Sequence, residues 1–191
     1  MAPSRGRRRG GQAVKVVVTG PFAAGKTTLI RTISEITVLS TERGITDSTR
    51  RRKAETTVAM DFGRITIDRD LVLYLFGTPG QDRFDFMWEI LGEGMIGYLL
   101  LVDAAREESI DEAVAILTAF RTMAHVPYVV ALNRAAGDDN AMVDDVRRRL
   151  DVPSDIAILP CDATDKESVK NVLLALLYAV LDDVETQAVR A

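Results

Sequence analysis

At 191 residues, with 47% hydrophobic and 27% charged side chains, the chain has the make-up of a globular domain long enough for one buried core. A net charge of −4 argues against general affinity for nucleic acid, and a single cysteine, Cys161, excludes an internal disulfide and suits a reducing compartment. No apolar run approaches the ~18 residues that span a bilayer, and the basic start MAPSRGRRRGGQ lacks the apolar centre of a signal peptide, so a cytoplasmic location is expected.

In chain order, residues 1–12 hold four arginines, three glycines and a proline with nothing to bury, and are expected as a disordered basic tail. A solvated arm is the simpler reading of it; attraction of its arginines to anionic lipid, hence peripheral membrane association, or to an acidic partner is the alternative. From 13 to 182 the pattern is that of one domain, with 183–191 as a C-terminal tail. VKVVVT (14–19) reads as a buried strand and 25–34 as a helix. TVAMDFGRITID (57–68) and LVLYLFG (71–77) read as two strands joined so closely, at Arg69-Asp70, that they must form an antiparallel hairpin. IGYLLLVDA (96–104), YVVALN (128–133) and IAILPC (156–161) are further apolar strands. Helices are expected at 109–123, with Ser109 and Glu112 as a capping box, near 139–150, and at 167–182. Continuous Val/Ile/Leu strands alternating with helices predict an α/β domain: a mostly parallel sheet with helices on both faces.

Directly after the first strand and opening a helix stands Gly20-x-x-x-x-Gly25-Lys26-Thr27. That order of strand, loop and helix is what a phosphate-binding loop requires. Its glycines allow a tight backbone whose amides face phosphate oxygens, the helix N-terminus favours the anion, Lys26 supplies a charge, and the Thr27 hydroxyl is a hard oxygen for magnesium. The long polar stretch 40–57 ends in Thr56-Thr57, either of which could fold onto the metal and a γ-phosphate; a plain strand-start threonine pair is the alternative.

GPFAAGKTT, then ETTVAMDFG, then FGTPGQDRF, in this order, resemble the small Ras-like GTPases of bacteria, above all the conservon type of actinobacteria, related to the Mgl polarity GTPases. The resemblance implies a P-loop NTPase of small G-protein fold with a six-stranded sheet and a GTP/GDP cycle with Mg2+. It also implies a roadblock-type partner protein encoded nearby. Position by position, Gly20, Phe22, Ala23, Ala24, Gly25, Lys26, Thr27 and Thr28 match the phosphate loop. Thr57 matches the switch threonine that joins Thr27 on the metal. Gly80 matches the glycine whose amide meets the γ-phosphate, and Gln81 the glutamine that orients the attacking water. Asn133 and Arg134 fall on the base-recognition loop, and Cys161, Asp162 and Ala163 on the last base-contact loop, where the Ala163 amide meets the guanine carbonyl.

Two positions depart from the pattern. Gly77 stands where such switches carry an aspartate facing the metal; Asp61 or Asp82 could supply the missing acid. Ala136 stands where an aspartate pairs with guanine, and Asp138 or Asp139 could substitute; without one, guanine preference would relax. Arg83 and Arg50-Arg51-Arg52 are candidate arginine fingers, although a solvated basic loop is the simpler reading. Phe84, Phe86, Met87 and Trp88 exceed one helix face and predict a partner surface beside the switch, whereas His125 is read as a helix-terminal residue. The expected function is a molecular switch with slow, partner-stimulated GTP hydrolysis. The alternatives are a nucleotide-binding scaffold without turnover and a P-loop small-molecule phosphotransferase.

Overall fold

The computed structural model describes residues 12–40, 60–79, 86–135 and 140–190. The chain order is β1 (Gln12–Thr19), α1 (Lys26–Ile33), β2 (Leu39–Ser40), β3 (Asp61–Asp68), β4 (Leu71–Gly77), α2 (Phe86–Gly92) and β5 (Gly97–Asp103). It continues with α3 (Glu107–Met123), β6 (Tyr128–Asn133), α4 (Asn140–Arg149), β7 (Ile158–Cys161) and α5 (Lys166–Arg190). The sheet order is β2-β3-β4-β1-β5-β6-β7. β4, β1, β5, β6 and β7 run parallel, whereas β3 is antiparallel to β4 across the expected turn, and β2 adds a two-residue antiparallel edge. Six full strands are therefore mostly parallel, as the alternation of apolar runs and helices predicts.

Successive strand residues point to opposite faces, and β1 shows the consequence. Val16 and Val18 join Leu29, Ile30 and Ile33 of α1 and Val169, Val172, Leu173 and Leu176 of α5 in one core. Val17 points into the other core, with Tyr98, Leu100 and Val102 of β5, Ile116, Leu117 and Phe120 of α3, and Val146 of α4. β5 and β6 are buried along their whole length, which is why their sequences are unbroken apolar runs. Trp88 brings the short α2 into the second core, its ring 5.9 Å from that of Phe120.

Two local expectations change. Ser109 does not cap α3, which starts two residues earlier; fully buried, its hydroxyl accepts the Asp103 amide at 3.0 Å and closes the end of β5 instead. α5 runs on through 183–190, the stretch expected as a tail, as a mostly exposed helical continuation. Of the partner surface predicted at 84–88, Trp88 alone has a described side chain, and it is buried; Ile90 of α2 is exposed. No helix among the described residues is long and apolar enough to cross a membrane.

Candidate nucleotide site

The loop from β1 to α1 lies at the C-terminal end of the central strand, where open α/β sheets bind ligands. Gly20 has φ 143°, and a Cβ there would stand 2.0 Å from the Leu101 carbonyl oxygen, so the loop begins where only glycine fits. Each carbonyl from residue 20 to 24 then accepts a side-chain donor. Lys26 Nζ donates to Gly20 and Pro21 at 2.7 Å each. Arg106 Nη1 donates to Phe22 at 3.2 Å, Arg134 Nη1 to Ala23 at 3.4 Å and Asn133 Nδ2 to Ala24 at 2.8 Å. Gly25, with φ 106°, opens α1, whose first-turn amides have no partner inside the helix. With its carbonyls held by side chains, the loop can turn amides and a helix N-terminus toward an anion. Lys26, only 8% exposed, carries its charge within this cradle.

The cradle borders a cavity of about 260 Å³ lined by Phe22, Gly25, Lys26, Thr27, Asp61 and Thr78, among others. The Thr27 hydroxyl donates to Asp61 Oδ2 at 2.5 Å. Asp61 begins β3 and pairs in register with Gly77, the last residue of β4. Of the two acids considered as substitutes at Gly77, the structure brings Asp61 to the threonine; Asp82 lies outside the described residues. A Cβ on Gly77 would stand 2.9 Å from Ile30 Cδ1 and 3.1 Å from Asp61 Cβ. Glycine at 77 is thus the space that the neighbouring strand's carboxylate needs. Behind it, Thr78 is buried, donating its amide to Val18 at 2.9 Å and its hydroxyl to Thr19 at 3.0 Å. One hydroxyl and one carboxylate in a polar cavity form a hard-oxygen donor set that fits magnesium.

On the other side of the loop, Asn133 ends β6 and ties three segments together. Its Nδ2 holds Ala24, and its Oδ1 accepts the Ala163 amide at 3.1 Å. The amide expected to meet a guanine carbonyl is therefore engaged by Asn133 here. A cavity of about 560 Å³ opens beside it, lined by Arg134, Ala135, Cys161, Asp162 and Ser168, among others. Asp162 is exposed; hydrogen bonds from the Thr164 hydroxyl (2.6 Å) and amide (2.8 Å) hold its carboxyl below the usual range and keep it ionised. Burial pushes the Cys161 thiol up to about 11. Only about one thiol in a thousand is then ionised near pH 8. Folded protein should react with iodoacetamide far more slowly than urea-unfolded protein, measured by mass spectrometry over time; equal rates would place Cys161 outside the core.

The structure thus brings together Gly20, Phe22, Ala23, Ala24, Gly25, Lys26, Thr27 and Thr28 along the loop, and Arg134, Cys161 and Asp162 at the second cavity, with Asn133 and Ala163 hydrogen-bonded to each other beside it. Thr57, Gly80, Gln81, Arg83, Arg50–Arg52, Ala136, Asp138 and Asp139 lie outside the described residues. Asp103, Arg106, Thr19 and Thr78 were not singled out in the sequence. The available signal was a charged residue closing the otherwise apolar run GYLLLVD.

The family described as "Conserved hypothetical ATP binding protein" matches residues 40–183, a stretch that starts beyond the phosphate loop. "Uncharacterized protein MJ1339" of Methanocaldococcus jannaschii is 32% identical over 123 residues, covering 63% of this chain and 70% of that protein. With a mostly parallel α/β sheet and a match over most of its length, the chain belongs to the conserved hypothetical ATP-binding protein family, of P-loop type.

Proposed function

We propose that this protein is a guanine-nucleotide switch of the bacterial Ras-like kind, allied to the conservon and Mgl GTPases, with slow GTP hydrolysis that a partner accelerates. The observation that carries nucleotide binding is the capping of five successive loop carbonyls by side chains around a buried lysine. The guanine and switch elements of the reading rest on the motif resemblance. Thr27 and Asp61 would hold magnesium, with Thr57 joining when a γ-phosphate is present. Bound there, the ion would neutralise charge on the β- and γ-phosphates. Lys26 binds the same oxygens from within the loop, Gln81 orients a water, and a roadblock-type partner reads the positions of 40–57 and 77–90. Without an arginine finger, turnover of isolated protein should stay far below ~1 s⁻¹.

Denaturing freshly purified protein and separating the released nucleotides by ion-pair chromatography tests this reading, with GDP or GTP as the expected product. The family's description favours a second reading, in which the base is adenine. Release of ADP or ATP, with ATP outcompeting GTP for rebinding, would select it and leave the cradle intact.

A further inference from the structure

β5 is buried throughout yet ends in a carboxylate: Asp103 is 1% exposed. A buried carboxylate needs partners, and both oxygens have one. Oδ1 accepts the Ala105 amide at 3.1 Å and Oδ2 accepts Arg134 Nη1. The turn after β5 needs only the first of these. The second reaches across to the next strand, where Asn133 pairs in register with Asp103 and Arg134 follows directly.

Arg134 has φ 59°, a left-handed conformation that a non-glycine residue keeps only where its surroundings enforce it. Its guanidinium also approaches the carbonyl of Ala23, another non-glycine residue with φ 59°. The Arg134 side chain is 54% exposed and borders both cavities. A half-exposed arginine ordinarily spreads over many rotamers. Here one partner is a rigid strand-end carboxylate and the other a loop carbonyl, so the guanidinium is held in one plane between the phosphate cradle and the larger cavity. A flat cation in that place presents a face on which a nucleobase can stack.

We propose that Asp103 is a positioning residue for the nucleoside half of the ligand: it holds Arg134 against the phosphate loop so that the guanidinium and its stem form one wall of the base cavity. The inference rests on the nucleotide-binding reading and is independent of base identity, because every base has a π-face. Asp103 therefore supports guanine and adenine nucleotides alike and acts less on polyphosphate alone, which Arg134 affects only through the Ala23 carbonyl.

Asp103→Asn keeps an acceptor for the Ala105 amide and removes the charge facing Arg134. Stopped-flow release of methylanthraniloyl-GDP and methylanthraniloyl-ADP reads the nucleoside contact. Thermal protection by inorganic tripolyphosphate reads the cradle. For whichever labelled nucleotide the wild type holds, release should be about tenfold faster in Asp103→Asn, with a clearly smaller loss of tripolyphosphate protection, since Arg134 is only one of the side chains that hold the loop carbonyls. Arg134→Gln should show the same loss, and the double variant no more than Arg134→Gln alone. Wild-type release rates in Asp103→Asn, losses that multiply in the double variant, or equal loss of tripolyphosphate protection would each overturn the positioning role with the nucleotide site still standing. A wild-type protein that binds neither probe nor tripolyphosphate would remove the nucleotide reading and this role with it. Should Asp103→Asn not fold, Arg134→Gln decides alone: faster release with a clearly smaller loss of tripolyphosphate protection supports the proposal, and wild-type release or an equal loss overturns it.

Discussion

Asp61→Ala is expected to lower magnesium-dependent nucleotide affinity about 10–100-fold while leaving the affinity measured in excess chelator nearly unchanged. The Asp61 carboxylate receives the Thr27 hydroxyl from the neighbouring strand, at the point where Gly77 has no side chain. The informative companion is the exchange. Gly77→Asp alone should also bind poorly, because a Cβ at 77 lies 3.3 Å from Asp61 Oδ2, and a second carboxylate would add like-charge repulsion to the crowding. Asp61→Gly combined with Gly77→Asp places one acid in the same space from the other strand, and should recover most of the magnesium effect. Magnesium titrations at fixed labelled nucleotide measure all four proteins. Undiminished magnesium dependence in Asp61→Ala would mean that the acid comes from elsewhere.

Gly20→Ala should be the most damaging single methyl in the described chain. Its Cβ would stand 2.0 Å from the Leu101 carbonyl, and backbone on a central buried strand cannot move aside as a flexible side chain can. Crowding and the positive φ together should cost about 3 kcal/mol or more, lowering Tm by on the order of 10 °C. Gly94→Ala separates the two causes. Its φ is 70° with nothing within 4 Å of the added Cβ, so only the dihedral cost applies, about 1 kcal/mol. Thermal denaturation of both variants makes the comparison. Equal small losses would show that the Leu101 carbonyl does not press on the loop.

Local features were legible where the physics is local. Gly20, Gly25, Lys26 and Thr27 lie within one turn of loop and helix, so strand, glycine spacing and Lys-Thr suffice to place the tight loop between β1 and α1. The hairpin at Arg69-Asp70 follows from a connection too short for a parallel crossover. Ser109 shows the limit of such reasoning. A serine three residues before a glutamate resembles a capping box, yet its hydroxyl closes β5 because burial beside a strand end takes precedence over a local motif. The extent of α5 was missed for a related reason: its last turns, LDDVETQAVR, bury little, and the periodicity of a core-facing helix fades there.

From the sequence alone came the tight glycine loop between β1 and α1, the α/β class and the order of the strands along the chain, because each depends on residues within a few positions of one another. Which strands lie side by side belongs to the tertiary structure. The β3–β4 pairing sets Asp61 against Gly77, and the β5–β6 pairing brings Asp103 to Arg134. Side-chain chemistry across a sheet is decided by register between strands, and register is a property of the assembled core rather than of any one segment.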